Sequence, residues 1–478
     1  MISAVIFLPA LAGAAALLAG KRYAQFILKT AACAHLALAL MLCVFPVTEG
    51  YWLALDGAGR LFLLVTSALF AAAAFYTAGY LDYAASRRSA HILAPLFGTQ
   101  PQPVFIAFML FFLAAMSFVC VSRHLGLMWV ALEATTLTSV PLVCFHRMPR
   151  QLEAAWKYMM LCSVGIALAL LGNFFMAAAI GGGQLPLLHD TLRENAGALD
   201  PLWLKAAFAV SFIGYGTKMG LAPMHTWLPD TYSESPSVVA LLSGALLNCA
   251  FLCLMRVSAI CSAAALGQFC GRVFIAFGLL SVLIAAAFIL RQKDYKRLLG
   301  YSSIENMGII VMASGAGAHY AAVLHMVNHS AVKAMLFMLS GNILRQYKTK
   351  LLPEVRGLYA TLPKTAILWI AGFTAILGLP PFGLFFSKLL TIKALVGGKH
   401  YWAAGLLLFF IAVIFAGVSR KIMETLSPLE NANPAEERPC FIWPAALLGL
   451  CALILGLYIP RYFNSMLEAA ARALGGGL

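Results

Sequence analysis

Charge is the scarcest commodity in this chain. Only 11% of its 478 residues are charged, and the 18 acids are outnumbered by 33 lysines and arginines. With 62% hydrophobic residues and a mean hydropathy of +0.88, the chain cannot present a soluble domain's surface to water. Metal-type cysteine spacing is missing as well: the eleven cysteines are scattered, no CxxC pair occurs, and most fall within apolar segments. Cys249 and Cys253, one helical turn apart inside an apolar run, read as small core residues. This argues against an iron-sulfur centre, another metal or a cofactor on this chain. The net charge of +15 forms no single patch, since the Lys and Arg residues sit in short connections between apolar runs. That pattern is a topology signal and gives no case for nucleic acid.

What is present is a series of apolar runs long enough to cross a bilayer, roughly fourteen of them. The fold class expected is an all-α polytopic membrane protein in a single transmembrane domain. The first run, Ile2 to Gly20, lacks the basic leading region and the cleavage site of a signal peptide, so it reads as a membrane helix. Counting Lys and Arg between runs, the odd-numbered connections hold roughly nineteen and the even-numbered ones, with the tails, roughly nine, which places the odd ones in the cytoplasm and both termini outside. The stretch from Arg461 to Leu474 interleaves Leu, Met and Ala with Glu468 and Arg472 and is expected to lie along the membrane surface.

Two runs carry their own interruptions. The seventh contains Gly214-Tyr-Gly-Thr-Lys218-Met-Gly-Leu-Ala-Pro223, and the twelfth contains Gly378-Leu-Pro380-Pro381-Phe-Gly383 ahead of Lys388. Proline inside a helix removes a backbone hydrogen bond and glycine permits a departure from helical geometry, so both helices should be broken. The breaks are five runs apart. A unit of runs four to eight (103–261) followed by one of runs nine to thirteen (272–419) would start on opposite sides of the membrane. This is the pattern of an inverted repeat, preceded by three helices in 1–102 and followed by a last helix and tail in 441–478.

Ionisable groups at mid-membrane cost about 2.5–3.5 kcal/mol on insertion scales and belong in the bundle interior. This chain places Glu133 in the fifth run, Lys218 in the first break, Glu305 in the tenth run, and Lys388 at the second break. In the eleventh run His325, His329 and Lys333 follow one another every four residues, a row about 12 Å long on one helix face. A lone buried Lys or Glu can simply be half of a structural ion pair. Recurrence of an acid and a base in each unit argues for a path instead, with Glu133 and Lys218 as a switch and the histidine row as a proton relay. His225, in a polar turn-forming stretch after Lys218, can either extend that path or serve the turn. His146, Arg147 and Arg150 are either cytoplasmic loop charges or a proton uptake region.

At these residues a family resemblance emerges. Gly216-Thr-Lys218-Met-Gly-Leu-Ala-Pro223-Met-His-Thr-Trp-Leu-Pro229-Asp230, the segment Lys296-Arg-Leu-Leu-Gly-Tyr-Ser-Ser-Ile-Glu305 and the row His325, His329, Lys333 resemble the antiporter-like proton-pumping subunits of respiratory complex I. These are similar to subunits of multisubunit cation/proton antiporters and of membrane-bound hydrogenases. Trp129-Val-Ala-Leu-Glu133 and Ser243-Gly-Ala-Leu-Leu-Asn248 resemble most closely the hydrogenase-4 and formate hydrogenlyase branch. The resemblance implies fourteen helices in two inverted five-helix repeats, Glu133 and Lys218 as the switch, Lys333 as the central lysine and Lys388 as the outer release group. It also implies an inner-membrane complex in which other membrane subunits and peripheral nickel-iron and iron-sulfur proteins carry out the redox chemistry, moving protons or sodium. A multisubunit sodium/proton antiporter is the alternative. The chain departs from its relatives at Ser243 and Asn248, where a lysine or histidine is frequent, and at Lys388, where the hydrogenase branch often has Glu. It also has no long lateral helix after the last run, which favours a compact subunit beside others.

Overall fold

The computed structural model describes residues 1–45, 50–86, 100–181, 185–240, 242–428 and 434–475. The chain runs through α1 (Ala4–Leu18), α2 (Lys21–Val44), α3 (Gly57–Ser86), α4 (Gln102–Val121), α5 (Leu125–Val143), α6 (Pro149–Ala179), a short α7 (His189–Glu194), α8 (Pro201–Met219) and α9 (Trp227–Glu234). It continues with α10 (Leu247–Cys261), α11 (Gly267–Arg291), α12 (Tyr295–Gly315), α13 (His319–Tyr347), a single turn α14 (Leu358–Thr361), α15 (Pro363–Leu377), α16 (Gly383–Gly397), α17 (Tyr401–Leu426), α18 (Pro439–Leu457) and α19 (Arg461–Ala473). The fold is all-helical, and among the described residues nine helical stretches are long and apolar enough to cross a membrane. This is a multi-pass membrane protein.

Helix starts follow local chemistry. Asp200 caps α8 by accepting from Leu202 N at 2.7 Å and Trp203 N at 3.3 Å, and Asp294 caps α12 by accepting from Lys296 N at 2.7 Å and Arg297 N at 3.0 Å. Proline stands in the first turn of α6, α8, α15 and α18, where its missing N–H costs nothing.

Both expected breaks are present. Helix α8 ends at Gly220 (φ 77°) and α15 at Gly378 (φ 80°), each in the left-handed conformation that glycine tolerates. The next residue closes the helix in the same way at both places: Leu221 N donates to Gly216 O at 2.9 Å, and Leu379 N donates to Thr374 O at 3.1 Å. One placement differs from the sequence expectation. Lys218 does not lie in the break but in the last turn of α8, ahead of it, whereas Lys388 lies on α16, after the second break.

Helix α13 is the axis of the bundle. Its membrane-spanning stretch is wholly enclosed by protein, and it packs against α3, α12, α15, α16 and α18. The eighth run is less regular than its hydropathy suggested: residues Leu242–Leu246 form a π-turn before α10 begins, a local widening that often marks a functional position. The side chain of Ser243 lies outside the described residues. The C-terminal α19 turns Leu467, Ala470 and Ala471 onto α3 and α13, so part of the apolar face expected to meet lipid is covered by the protein itself.

Candidate functional site

The polar interior is built in three groups along the bundle. In the first, α5, α6 and α8 meet around Glu133. Its carboxylate accepts from Ser163 Oγ at 2.8 Å and from Thr136 Oγ1 at 3.1 Å. Lys218, wholly buried, donates to the same Thr136 hydroxyl and lies 3.5 Å from Tyr158 Oη. Thr136 therefore accepts from the ammonium while donating to the carboxylate, and it links the two charges. Tyr158 in turn shares a 2.8 Å bond with Ser139, closing a hydroxyl lining around the lysine.

The second group lies on α13. His325 is held from both sides: Nε2 is 2.9 Å from Asn306 Oδ1 on α12, and Nδ1 is 2.9 Å from Ser387 Oγ on α16. Ser387 also has Leu384 O within 3.0 Å. When its hydroxyl donates to Leu384, both ring nitrogens of His325 must donate, the arrangement of an imidazolium. When the hydroxyl turns to Nδ1, the neutral ring is satisfied. The surroundings thus serve either protonation state by rotating a single O–H. His329, one turn on and wholly buried, has no hydrogen-bond partner for either ring nitrogen among the described residues. Lys333 is also wholly buried and donates to Leu299 O at 2.5 Å.

The third group is a direct ion pair. Lys388 Nζ lies 3.0 Å from Glu305 Oε1, with both side chains almost fully enclosed. The ammonium also reaches Leu377 O at 3.3 Å and Ile376 O at 3.4 Å, carbonyls left open where α15 ends at the break. The negative end of a helix dipole and a carboxylate together stabilise this cation.

The sequence candidates are thus brought into one interior, but not all into contact. Glu305 joins Lys388, and Glu133 is linked to Lys218 through Thr136. His225 lies in the gap between α8 and α9, with its Nδ1 unpartnered among the described residues. The sequence reading missed Thr136, Ser163, Tyr158, Asn306 and Ser387. Thr136 was within reach, three residues from Glu133 on one helix face, and Asn306 and Ser387 adjoin residues already singled out. Outside this interior, a cleft of about 700 Å³ opens beside α9, lined by Arg150, Glu153, Lys157, Asp230, Glu234 and other charged residues. Its acids are paired, for example Lys350 to Glu234 at 2.7 Å and Lys157 to Glu153 at 2.6 Å.

Residues 122–416 match the family described as "NADH:quinone oxidoreductase/Mrp antiporter, TM". The chain belongs to this family. It is 37% identical over 357 residues to the hydrogenase-4 component F homologue of Methylacidiphilum infernorum, covering 73% of this chain and 74% of that relative. It is 32% identical over 344 residues to NADH-quinone oxidoreductase subunit 14 of Thermus thermophilus, covering 70% and 74% respectively. Among solved structures, a chain of the archaeal membrane-bound sulfane sulfur reductase superposes with a TM-score of 0.85 over 99% of this chain and 97% of that one, at 22% identity. All the candidate residues fall within the matched span, and the fold is that of the antiporter-like membrane subunits.

Proposed function

We propose that this chain is the proton-translocating membrane subunit of a hydrogenase-type or complex I-like oxidoreductase, driven by redox chemistry in partner chains. The observation that carries the reading is the arrangement of two lysine–carboxylate couples, Glu133 with Lys218 and Glu305 with Lys388, joined through an enclosed helix bearing His325, His329 and Lys333. Each couple can hold or yield a proton according to the state of its carboxylate, and histidine relays between them. His225 and the charged cleft beside α9 are proposed to lead protons to Lys218 from the cytoplasmic side. Residues 103–261 and 272–419 form the two inverted units, and both termini face outward in the inner membrane.

Moving one charge against 100 mV costs about 2.3 kcal/mol, so the subunit needs an external driver. The likeness to a hydrogenase-4 component supports peripheral nickel-iron and iron-sulfur partners. In the assembled complex, Lys218→Ala and Glu133→Gln are expected to abolish donor-driven acidification of inverted vesicles while assembly is retained. Pumping that survives both changes refutes the assignment.

The family description also names Mrp antiporters, which supports a second reading as a sodium/proton exchanger. Sodium movement against protons in vesicles without any electron donor would favour that reading over the first.

A further inference from the structure

Arg256 is a buried cation that the path above leaves unused. It sits on α10 with 3% exposure, and its guanidinium donates to the backbone oxygen of Ser122, to Cys120 O at 3.4 Å and to Asp56 Oδ1 at 3.2 Å. Cys120 and Ser122 stand at the C-terminal end of α4, where the helix dipole favours a positive charge. The ion pair itself helps to line a cavity of about 20 Å³, with Ala54, Arg123, His189 and Asp190 as the other lining residues. Asp56 is 30% exposed, whereas the arginine side chain is 4% exposed. Toward the middle of the membrane, Cys249 precedes Arg256 on α10 by about two turns or ~10 Å, and α10 packs against α8, which carries Lys218. The guanidinium therefore stands between the switch lysine and the end of the bundle assigned to the outer face.

The other unit has a related arrangement. Near the end of α17, Lys421 Nζ donates to Ile289 O and, at 2.5 Å, to Gln292 O, both at the C-terminal end of α11. In the two proposed units, α4 and α11 are the first helices and α10 and α17 the last. In each, a cation of the last helix is held against the terminal carbonyls of the first, at what would be opposite faces of the membrane.

We propose that Arg256 seals the outer end of the first unit against protons. A guanidinium keeps its proton at any pH the protein meets, so it cannot act as a relay station as lysine or histidine can. Its fixed positive charge, held in place by Asp56 and the α4 carbonyls, also repels an approaching hydronium ion. Protons reaching Lys218 are then obliged to leave through α13 and the second unit. This inference rests on the proposed proton path and orientation.

The test is passive proton leak in inverted vesicles holding the complete complex, without electron donor, under a potassium diffusion potential. Arg256→Gln is expected to raise the leak roughly tenfold, and Arg256→Lys, which keeps the charge but can give up its proton, to raise it by a smaller factor of about threefold. Adding Lys218→Ala to Arg256→Gln is expected to remove the extra leak. An unchanged leak in Arg256→Gln overturns the seal, as does a leak that persists without Lys218. If Arg256→Gln does not assemble, Arg256→Gln with Asp56→Asn removes both charges together and is read by the same outcomes. Failure of the underlying path is seen separately, as donor-driven pumping that survives Lys218→Ala and Glu133→Gln.

Discussion

Lys218 and Glu133 do not touch: the Thr136 hydroxyl stands between them, accepting from the ammonium and donating to the carboxylate. Their counterparts Lys388 and Glu305 are in direct contact at 3.0 Å. One couple is therefore linked through a group that can rotate, and the other is locked. The first couple, where coupling can be made and broken, is the one that suits the proposed switch.

Thr136→Val keeps the shape of the side chain and removes the hydroxyl. It is expected to lower donor-driven pumping by roughly tenfold or more while the complex assembles, and Thr136→Ser is expected to retain most of it. Initial rates of vesicle acidification check this; equal rates in the Val and Ser variants would show that the hydroxyl carries no coupling.

The Lys388–Glu305 pair is enclosed, so removing one partner leaves a charge with too little compensation, a loss of about 3–5 kcal/mol in buried pairs. Glu305→Gln should lower the thermal unfolding temperature of the purified subunit more than Glu305→Gln combined with Lys388→Gln. If the double variant is the less stable of the two, the pair does not contribute in this way.

Much of this interior was legible because a charge inside an apolar run is expensive and therefore conspicuous. Glu133, Lys218, Glu305, Lys388, His325, His329 and Lys333 stand out for that reason alone, and Gly220 and Gly378 with the prolines after them mark the breaks. What stayed hidden was of two kinds. Hydroxyls and amides such as Thr136, Ser387 and Asn306 are common in membrane helices, and only the packing of α5, α12 and α16 shows which of them meet a charge. Arg256 was hidden differently: it lies five residues from the end of α10, and only the approach of Asp56 and the α4 carbonyls shows what its charge meets. The position of Lys218 before its break, and of Lys388 after the other, likewise depends on where each helix ends and not on the motif.

Outside the membrane helices, Asp190 is held by His189 Nδ1 at 2.9 Å and by Arg123 Nε at 2.7 Å. The bond from His189 chiefly, with that from Arg123, keeps its carboxyl well below the usual carboxylate range, against the opposing effect of partial burial. A depressed folded value means that the stabilisation is fully present above the unfolded value of about 3.9 and is lost as pH falls through the folded one. The stability advantage of the unaltered protein over Asp190→Asn should therefore shrink as pH falls from about 4 to about 2. Thermal unfolding of both proteins across that range checks the sign; a gap that widens in acid would contradict it.

Ser387 supplies the last discriminating change. Its hydroxyl lies 2.9 Å from His325 Nδ1 and 3.0 Å from Leu384 O, so it accepts from the ring in one state and donates to it in the other. Hydrogen bonds to a charged group contribute about 1.5–3 kcal/mol and those between neutral groups about 0.5–1.5, so removing the hydroxyl penalises the imidazolium more than the neutral ring. A difference of about 1.4 kcal/mol would lower the population of charged His325 roughly tenfold. Ser387→Ala should thus slow proton transfer by up to that factor, with Lys388 and the helix intact, while Ser387→Thr preserves the rotor and most of the rate. Should the alanine variant pump as fast as the unaltered complex, His325 does not carry a full charge in the cycle, and the transfer from Lys333 to Lys388 must run past its ring without resting there.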